Sequence, residues 1–171
     1  GASASGQTIV VGTSNARLCY EAALTDQTGR RSSLSHCESA LTDEMLSRRD
    51  RVASHVNYGI LLLRVGRLDE AMASLDRAIA SNALLGEAWL NRGIVWLRMG
   101  EYSAAEQDFT RALSLDLREP HKAYYSRALS YEGREMYPEA YADYQRALEL
   151  RPGWGPPLQE LERYEIVRGS R

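Results

Sequence analysis

The chain has 171 residues, 44% hydrophobic and 26% charged, with a formal net charge of −2 at neutral pH. That length and balance fit one compact domain, and the even mixture of signs is the wrong electrostatic footprint for nucleic acid or an anionic membrane surface. No apolar run approaches the about 20 residues of a membrane-spanning helix; Ile60-Leu61-Leu62-Leu63 is followed at once by Arg64.

Residues 1–12 read as an extended arm. Within it, Ala2-Ser3-Ala4 has the small-x-small form left around a signal-peptidase site, so the expectation is an exported protein whose leader has been removed. Thr8-Ile9-Val10-Val11 suits either a short strand or an arm packed on the body. A first helix is expected over residues 16–24, capped by Thr13 or Ser14 and ended by Gly29, and a shorter one over 34–41. The basic cluster Arg48-Arg49-Asp50-Arg51 reads as the solvated first turn of the next helix, with Ser47 as its N-cap, rather than as a phosphate site.

From residue 52 the chain repeats itself. Three stretches, 52–85, 86–119 and 121–154, superpose almost without gaps. Each has a small residue at its eighth position (Gly59, Gly93, Ala128) and alanine at its twentieth (Ala71, Ala105, Ala140) and twenty-seventh (Ala78, Ala112, Ala147). A period near 34 residues is that of stacked helix–turn–helix units. Positions 4, 7, 8 and 11 share one helical face and positions 20, 24 and 27 another. Glycine and alanine let two helix axes approach, while Trp89, Trp96, Phe109, Tyr131 and Tyr144 fill the remaining space. One unit cannot bury both faces alone, so stability requires stacked neighbours. Gly66 and Gly100 follow the first helix of their copies, where a left-handed residue ends it; Glu135 stands at that place in the third.

The second copy carries Trp89, Gly93, Trp96, Gly100, Tyr102, Ala105, Phe109 and Ala112 in order, and Pro152 closes the third. In these residues the stretch 52–154 resembles the tetratricopeptide repeat. The resemblance implies an all-α, right-handed αα superhelix. Its expected organisation is one domain over 13–171: a degenerate repeat at 13–46, three full repeats, and a capping helix at 156–168. The turn Gly153-Trp154-Gly155-Pro156-Pro157 leads into that last helix, whose Leu158, Leu161, Tyr164, Ile166 and Val167 would cover the final repeat. The hairpin at 13–46 qualifies as a repeat because Ala40-Leu41 imitates Ala78-Ile79, Ala112-Leu113 and Ala147-Leu148.

Both cysteines, Cys19 and Cys37, lie in that hairpin. Facing helices can bring two Cα atoms within bridging distance, and the 18-residue loop so closed would contribute about 3 kcal/mol. Two buried free thiols are the alternative. A disulfide requires an oxidising compartment. The segment also resembles the small periplasmic tetratricopeptide proteins of Gram-negative bacteria, which implies a periplasmic location.

Catalytic patterns are missing. His36, His55 and His121 are scattered, there is no Cys-x-x-Cys, metal-binding helix motif, nucleophile elbow or Gly-rich phosphate loop, and no enzyme, metal or cofactor is expected. The resemblance instead implies a concave groove lined by the first helix of each repeat. Carried over by position, it would contain Asn57, Ile60 and Arg64, then Leu90, Asn91, Ile94 and Arg98, then Lys122 and Tyr125. An asparagine amide donates to and accepts from an extended backbone, and arginine offers a fork to a carboxylate. The expected function is a non-catalytic scaffold binding a polypeptide segment there. The alternative is a structural or self-associating envelope protein, a homo-oligomer through its convex face or arm. The family's clamp for chaperone tails needs Lys and Asn where Val56 and Ile60 stand and Arg where Ser126 stands; with only Asn91 and Lys122 matching, that ligand is not expected.

Overall fold

The computed structural model describes residues 14–168, with side chains as far as Tyr164. The expected arm at 1–12, the alternative cap Thr13, and the side chains of Ile166 and Val167 lie outside the described residues. Among the described residues there are nine helices and no strand: α1 (Asn15–Thr25), α2 (Arg31–Asp43), α3 (Arg48–Arg64), α4 (Leu68–Ser81), α5 (Gly86–Met99), α6 (Tyr102–Leu113), α7 (Pro120–Gly133), α8 (Tyr137–Leu150) and α9 (Gly155–Arg168). They pack as four successive hairpins, each resting on the next, with α9 laid against α8.

The small-residue skeleton works by complementary size. A Cβ on Gly59 would lie 2.7 Å from Leu75 Cγ, and one on Gly93 would lie 2.6 Å from Phe109 Cε1. In the third repeat Ala128 meets Tyr144 in a core shared with Ala140. In each repeat a small residue of the first helix thus faces a large apolar or aromatic side chain of the second, and the pair is buried.

The hairpin α1–α2 obeys the same register. Cys19 and Cys37 are bonded, with Cα atoms 4.8 Å apart, and both are fully buried. Counting back from Ala40, Cys37 holds the twenty-fourth position, the place of Leu75; Cys19, bonded to it, faces it as Gly59 faces Leu75, the turn between α1 and α2 being two residues longer than that between α3 and α4. A second contact agrees. Tyr58 Oη donates to Glu38 Oε1 at 2.7 Å, while at the same positions one and two repeats later Arg92 Nη1 donates to Asp76 Oδ1 at 2.9 Å and Arg127 Nη1 to Thr110 Oγ1 at 3.1 Å.

Local chemistry sets the ends of this hairpin. Ser14 Oγ accepts from Arg17 N, and Glu44 accepts from Asn15 N and Ala16 N at 2.6 and 3.3 Å, so the start of α1 is closed from two sides. Its far end differs from the sequence expectation. α1 stops at Thr25 and α2 begins at Arg31, because the Asp26 carboxylate accepts from Thr28 N, Gly29 N, Arg30 N and Ser33 Oγ and gathers the turn around itself. Gly29 lies within that turn, with φ +64°, rather than at the helix end.

In the repeats proper, Gly66 and Gly100 take φ +80° and +81° after α3 and α5, and Glu135 takes φ +59° after α7. All three turns close alike, the last bond running from Arg67 N to Leu62 O, Glu101 N to Trp96 O, and Met136 N to Tyr131 O. The third repeat therefore keeps the left-handed turn without the glycine.

Candidate peptide-binding groove

The first helices of the hairpins touch one another in sequence, α1 to α3, α3 to α5 and α5 to α7, whereas α2, α4, α6 and α8 make no comparable mutual contacts among the described residues. Rows that converge on one side and splay on the other form a curved stack with the converging row inside. The residues of α3, α5 and α7 that point away from the second helices therefore make up the inner wall.

On α3, Asn57 and Ile60 are half-buried; Ile60 rests on the first core cluster, and the Asn57 side chain makes no hydrogen bond within the described residues. One repeat on, Ile94 rests on the same cluster, and Asn91 Nδ2 donates to Glu87 O at 2.8 Å, leaving its oxygen uncommitted. Leu90, 9% exposed, belongs to the core more than to the wall.

Arg64 and Arg98 share a second task. Arg64 Nη1 donates to Asp26 O at 2.7 Å and Ala22 O at 3.4 Å, at the C-terminal end of α1. Arg98 Nη1 donates to Leu63 O at the end of α3. Each thus satisfies carbonyls at the end of the preceding first helix, where a cation also meets the negative end of the helix dipole. Burial pulls the Arg64 pKa below its ordinary value, with Asp26 opposing. No such contact exists in the third repeat, where Gly133 stands at the equivalent position and a Cβ would lie 2.5 Å from the ring of Tyr102.

At the C-terminal end the inner wall is covered by the chain itself. Tyr125 packs its ring against Trp154 and Tyr144, and burial pushes its phenol pKa up. Glu132 accepts from Tyr164 Oη at 2.8 Å and from Arg163 Nη2 at 2.9 Å, both on α9. Lys122 is exposed and paired with Glu119 at 2.7 Å. The structure thus brings Asn57, Ile60, Asn91 and Ile94 together on an open wall and sets Tyr125 and Lys122 apart from them.

One element of the scaffold went unread in the sequence. Arg92 forms a two-pronged pair with Asp108, Nε to Oδ2 at 2.7 Å and Nη2 to Oδ1 at 2.9 Å, and Arg127 repeats it with Asp143 at the same distances. The signal was there: arginine and aspartate 16 residues apart, twice, at matching positions. The first repeat has Tyr58 and Ser74 instead, and Ser74 Oγ donates to His55 O at 2.8 Å.

Among the described residues no group of His, Cys, Asp and Glu is arranged to hold a metal, and no helix is long and apolar enough to cross a membrane. Family models described as tetratricopeptide repeat match residues 52–83, 86–116 and 121–153, together more than half of the chain. This chain is a tetratricopeptide repeat protein. It is similar to the second TPR domain of the human RPAP3 protein, solved in complex with the HSP70 peptide SGPTIEEVD, at 25% identity over 70% of this chain and 98% of that one, with a TM-score of 0.64. It is also similar to the Arabidopsis OM64 TPR domain, at 25% identity over 71% and 99% of the two chains and a TM-score of 0.67. MamA from Desulfovibrio magneticus RS-1 shares the fold over 93% of this tetratricopeptide chain and 88% of its own, with a TM-score of 0.70 at 19% identity. A comparison with curated proteins returns no match.

Proposed function

We propose that this protein is a non-catalytic scaffold that holds a polypeptide segment against its inner wall. The observation that carries the reading is the pair Asn57 and Asn91, one repeat apart at equivalent positions, with free amide capacity above the apolar Ile60 and Ile94. Two such amides can bind the backbone of an extended segment through both its donors and its acceptors. The RPAP3 domain, which holds a peptide on the same fold, supports it. An acidic chaperone tail is not the ligand proposed, because Val56 and Ser126 are buried and uncharged where the family's clamp carries Lys and Arg.

The test is a random peptide library selected against the immobilised protein and against the Asn57→Ala/Asn91→Ala double variant. Enrichment on the wild type, lost on the variant at unchanged thermal stability, is the expected result. Peptides that bind both equally would place recognition elsewhere.

We infer also that the protein works in an oxidising compartment, the periplasm of a Gram-negative cell being the one its hairpin suggests. The buried pair Cys19–Cys37 supports this. Thiol titration of the unfolded, unreduced protein isolated from its native host should give no free thiol; two reactive thiols would end the inference.

A further inference from the structure

A cleft of about 680 Å³ opens between the start of α3, at Arg48, Arg49, Val52 and Ala53, and the end of α4 with the turn after it, at Ser81 and Leu85. The other two repeats fill the equivalent place with a side chain of their own. In the second, Leu117 lies so close to Gly86, the counterpart of Val52, that a Cβ there would stand 2.8 Å from Leu117 Cδ2. In the third, the indole of Trp154 packs edge-on against His121, the next counterpart, with ring centroids 4.8 Å apart, and the Arg151 guanidinium lies 5.9 Å from the indole centroid. Leu85 holds the position of Trp154 in the first repeat. It rests on the core cluster that contains Val52 but stays half-buried, and a leucine lacks the area of an indole. The first repeat therefore keeps open a place that its neighbours close.

The arginines at this rim are unequally engaged. Arg48 Nη2 donates to Ser81 O at 2.5 Å and Arg51 Nη1 to Leu41 O at 3.1 Å, so two of them are spent on carbonyls at the ends of α4 and α2. Asp50, the acid among them, accepts from Ser47 Oγ at 2.7 Å. Arg49 is exposed and makes no hydrogen bond or ion pair within the described residues. Of the two charged side chains that line the cleft, its guanidinium is the uncommitted one. An apolar floor beside a free guanidinium matches a ring that carries a carboxylate: the ring packs where Trp154 packs in the third repeat, and the carboxylate meets the arginine fork.

We propose that this cleft binds an aromatic group bearing a carboxylate, its ring seated on Val52, Ala53 and Leu85 and its carboxylate held by Arg49. The volume lies in the range of small-ligand sites. The site is separate from Asn57 and Asn91 and does not depend on the groove they line.

Titration of the full chain with N-acetyltryptophan, followed through its backbone amide NMR signals, tests this. Expected are saturable shifts at Val52, Ala53 and Leu85, with an affinity that weakens as salt is added. Affinity should fall about tenfold in Arg49→Gln, and as much when the probe is N-acetyltryptophanamide, which has no carboxylate. Leu85→Trp, which rebuilds the filling of the third repeat, should abolish binding without lowering the melting temperature; Arg49→Gln, an exposed change, keeps the test independent of how that variant folds. Asn57→Ala/Asn91→Ala should bind as the wild type does. Equal affinity for acid and amide, or unchanged affinity in Arg49→Gln, overturns the carboxylate contact. The same shifts from acetate alone overturn the aromatic class, and a folded Leu85→Trp protein that still binds overturns the seat of the ring. Loss of binding in the asparagine variant puts the probe in the groove and overturns the separate site, and the absence of any saturable shift overturns the proposal whole. A hexapeptide ending in tryptophan distinguishes the two sources of this chemistry: binding as tight as that of the small acid assigns the group to the C-terminus of a polypeptide, weaker binding to a free aromatic acid.

Discussion

Cys19 and Cys37 are joined at the contact where the other repeats set a glycine or alanine against a large apolar side chain, Gly59 against Leu75 and Gly93 against Phe109. The hairpin has no ring to fill the space between α1 and α2, and a covalent bond holds the two helices instead. Reduction, or replacement of both cysteines by alanine, should lower stability by about 3 kcal/mol for the 18-residue loop. Denaturant unfolding with and without reductant measures it, and a coincident pair of curves would mean the bond contributes nothing.

Gly93 admits Phe109 so closely that any side chain must displace the ring. Gly93→Val should therefore cost about 1–3 kcal/mol through overpacking. Gly153→Ala, where a Cβ meets nothing within 4 Å, carries only the left-handed backbone penalty and serves as a control. Equal melting temperatures for the two variants would refute the steric account.

Glu135 holds a left-handed backbone that its neighbours assign to Gly66 and Gly100. That conformation costs an L-residue about 1–2 kcal/mol, so Glu135→Gly should raise stability by about 1 kcal/mol after the added freedom of the unfolded chain is counted. Chemical denaturation would detect the gain; a loss would show that the Glu135 side chain contributes more than its backbone strain.

His121 is buried against Trp154, and Arg151 Nη1 donates to its Nε2 at 3.3 Å, so that nitrogen must be unprotonated. Burial lowers the His121 pKa most, Glu119 opposes, and Arg151 and Lys122 lower it further. His55 is lowered too, by burial and then by Arg77 and Arg51. A depressed histidine pKa means that the unfolded chain takes the proton first. Stability should thus be complete above the unfolded value of about 6.5 and decline as pH falls from there toward the folded pKa. Urea unfolding between pH 7.5 and 5.5 should show this slope in the wild type and a shallower one in His121→Phe.

The repeat architecture was legible because it depends on side-chain size at fixed intervals, a property written directly in Gly59, Gly93 and Ala128. The ends of α1 and α2 were less so, since the Asp26 carboxylate organises a turn through hydrogen bonds that no periodicity records. The groove lies between. The spacing identified Asn57 and Asn91 as a repeated pair, yet it could not show that Arg64 and Arg98 serve the preceding repeat, because that contact depends on how two hairpins stack.

The guanidinium of Arg92 grips Asp108 of its own repeat and Asp76 of the one before, and Arg127 does the same with Asp143 and Thr110. Successive hairpins are thereby clasped from the outer side and cannot slide past one another without releasing several bonds at once. If the two asparagine amides hold a backbone as proposed, the interval between them is a fixed length, and a partner has to offer its backbone groups at that pitch.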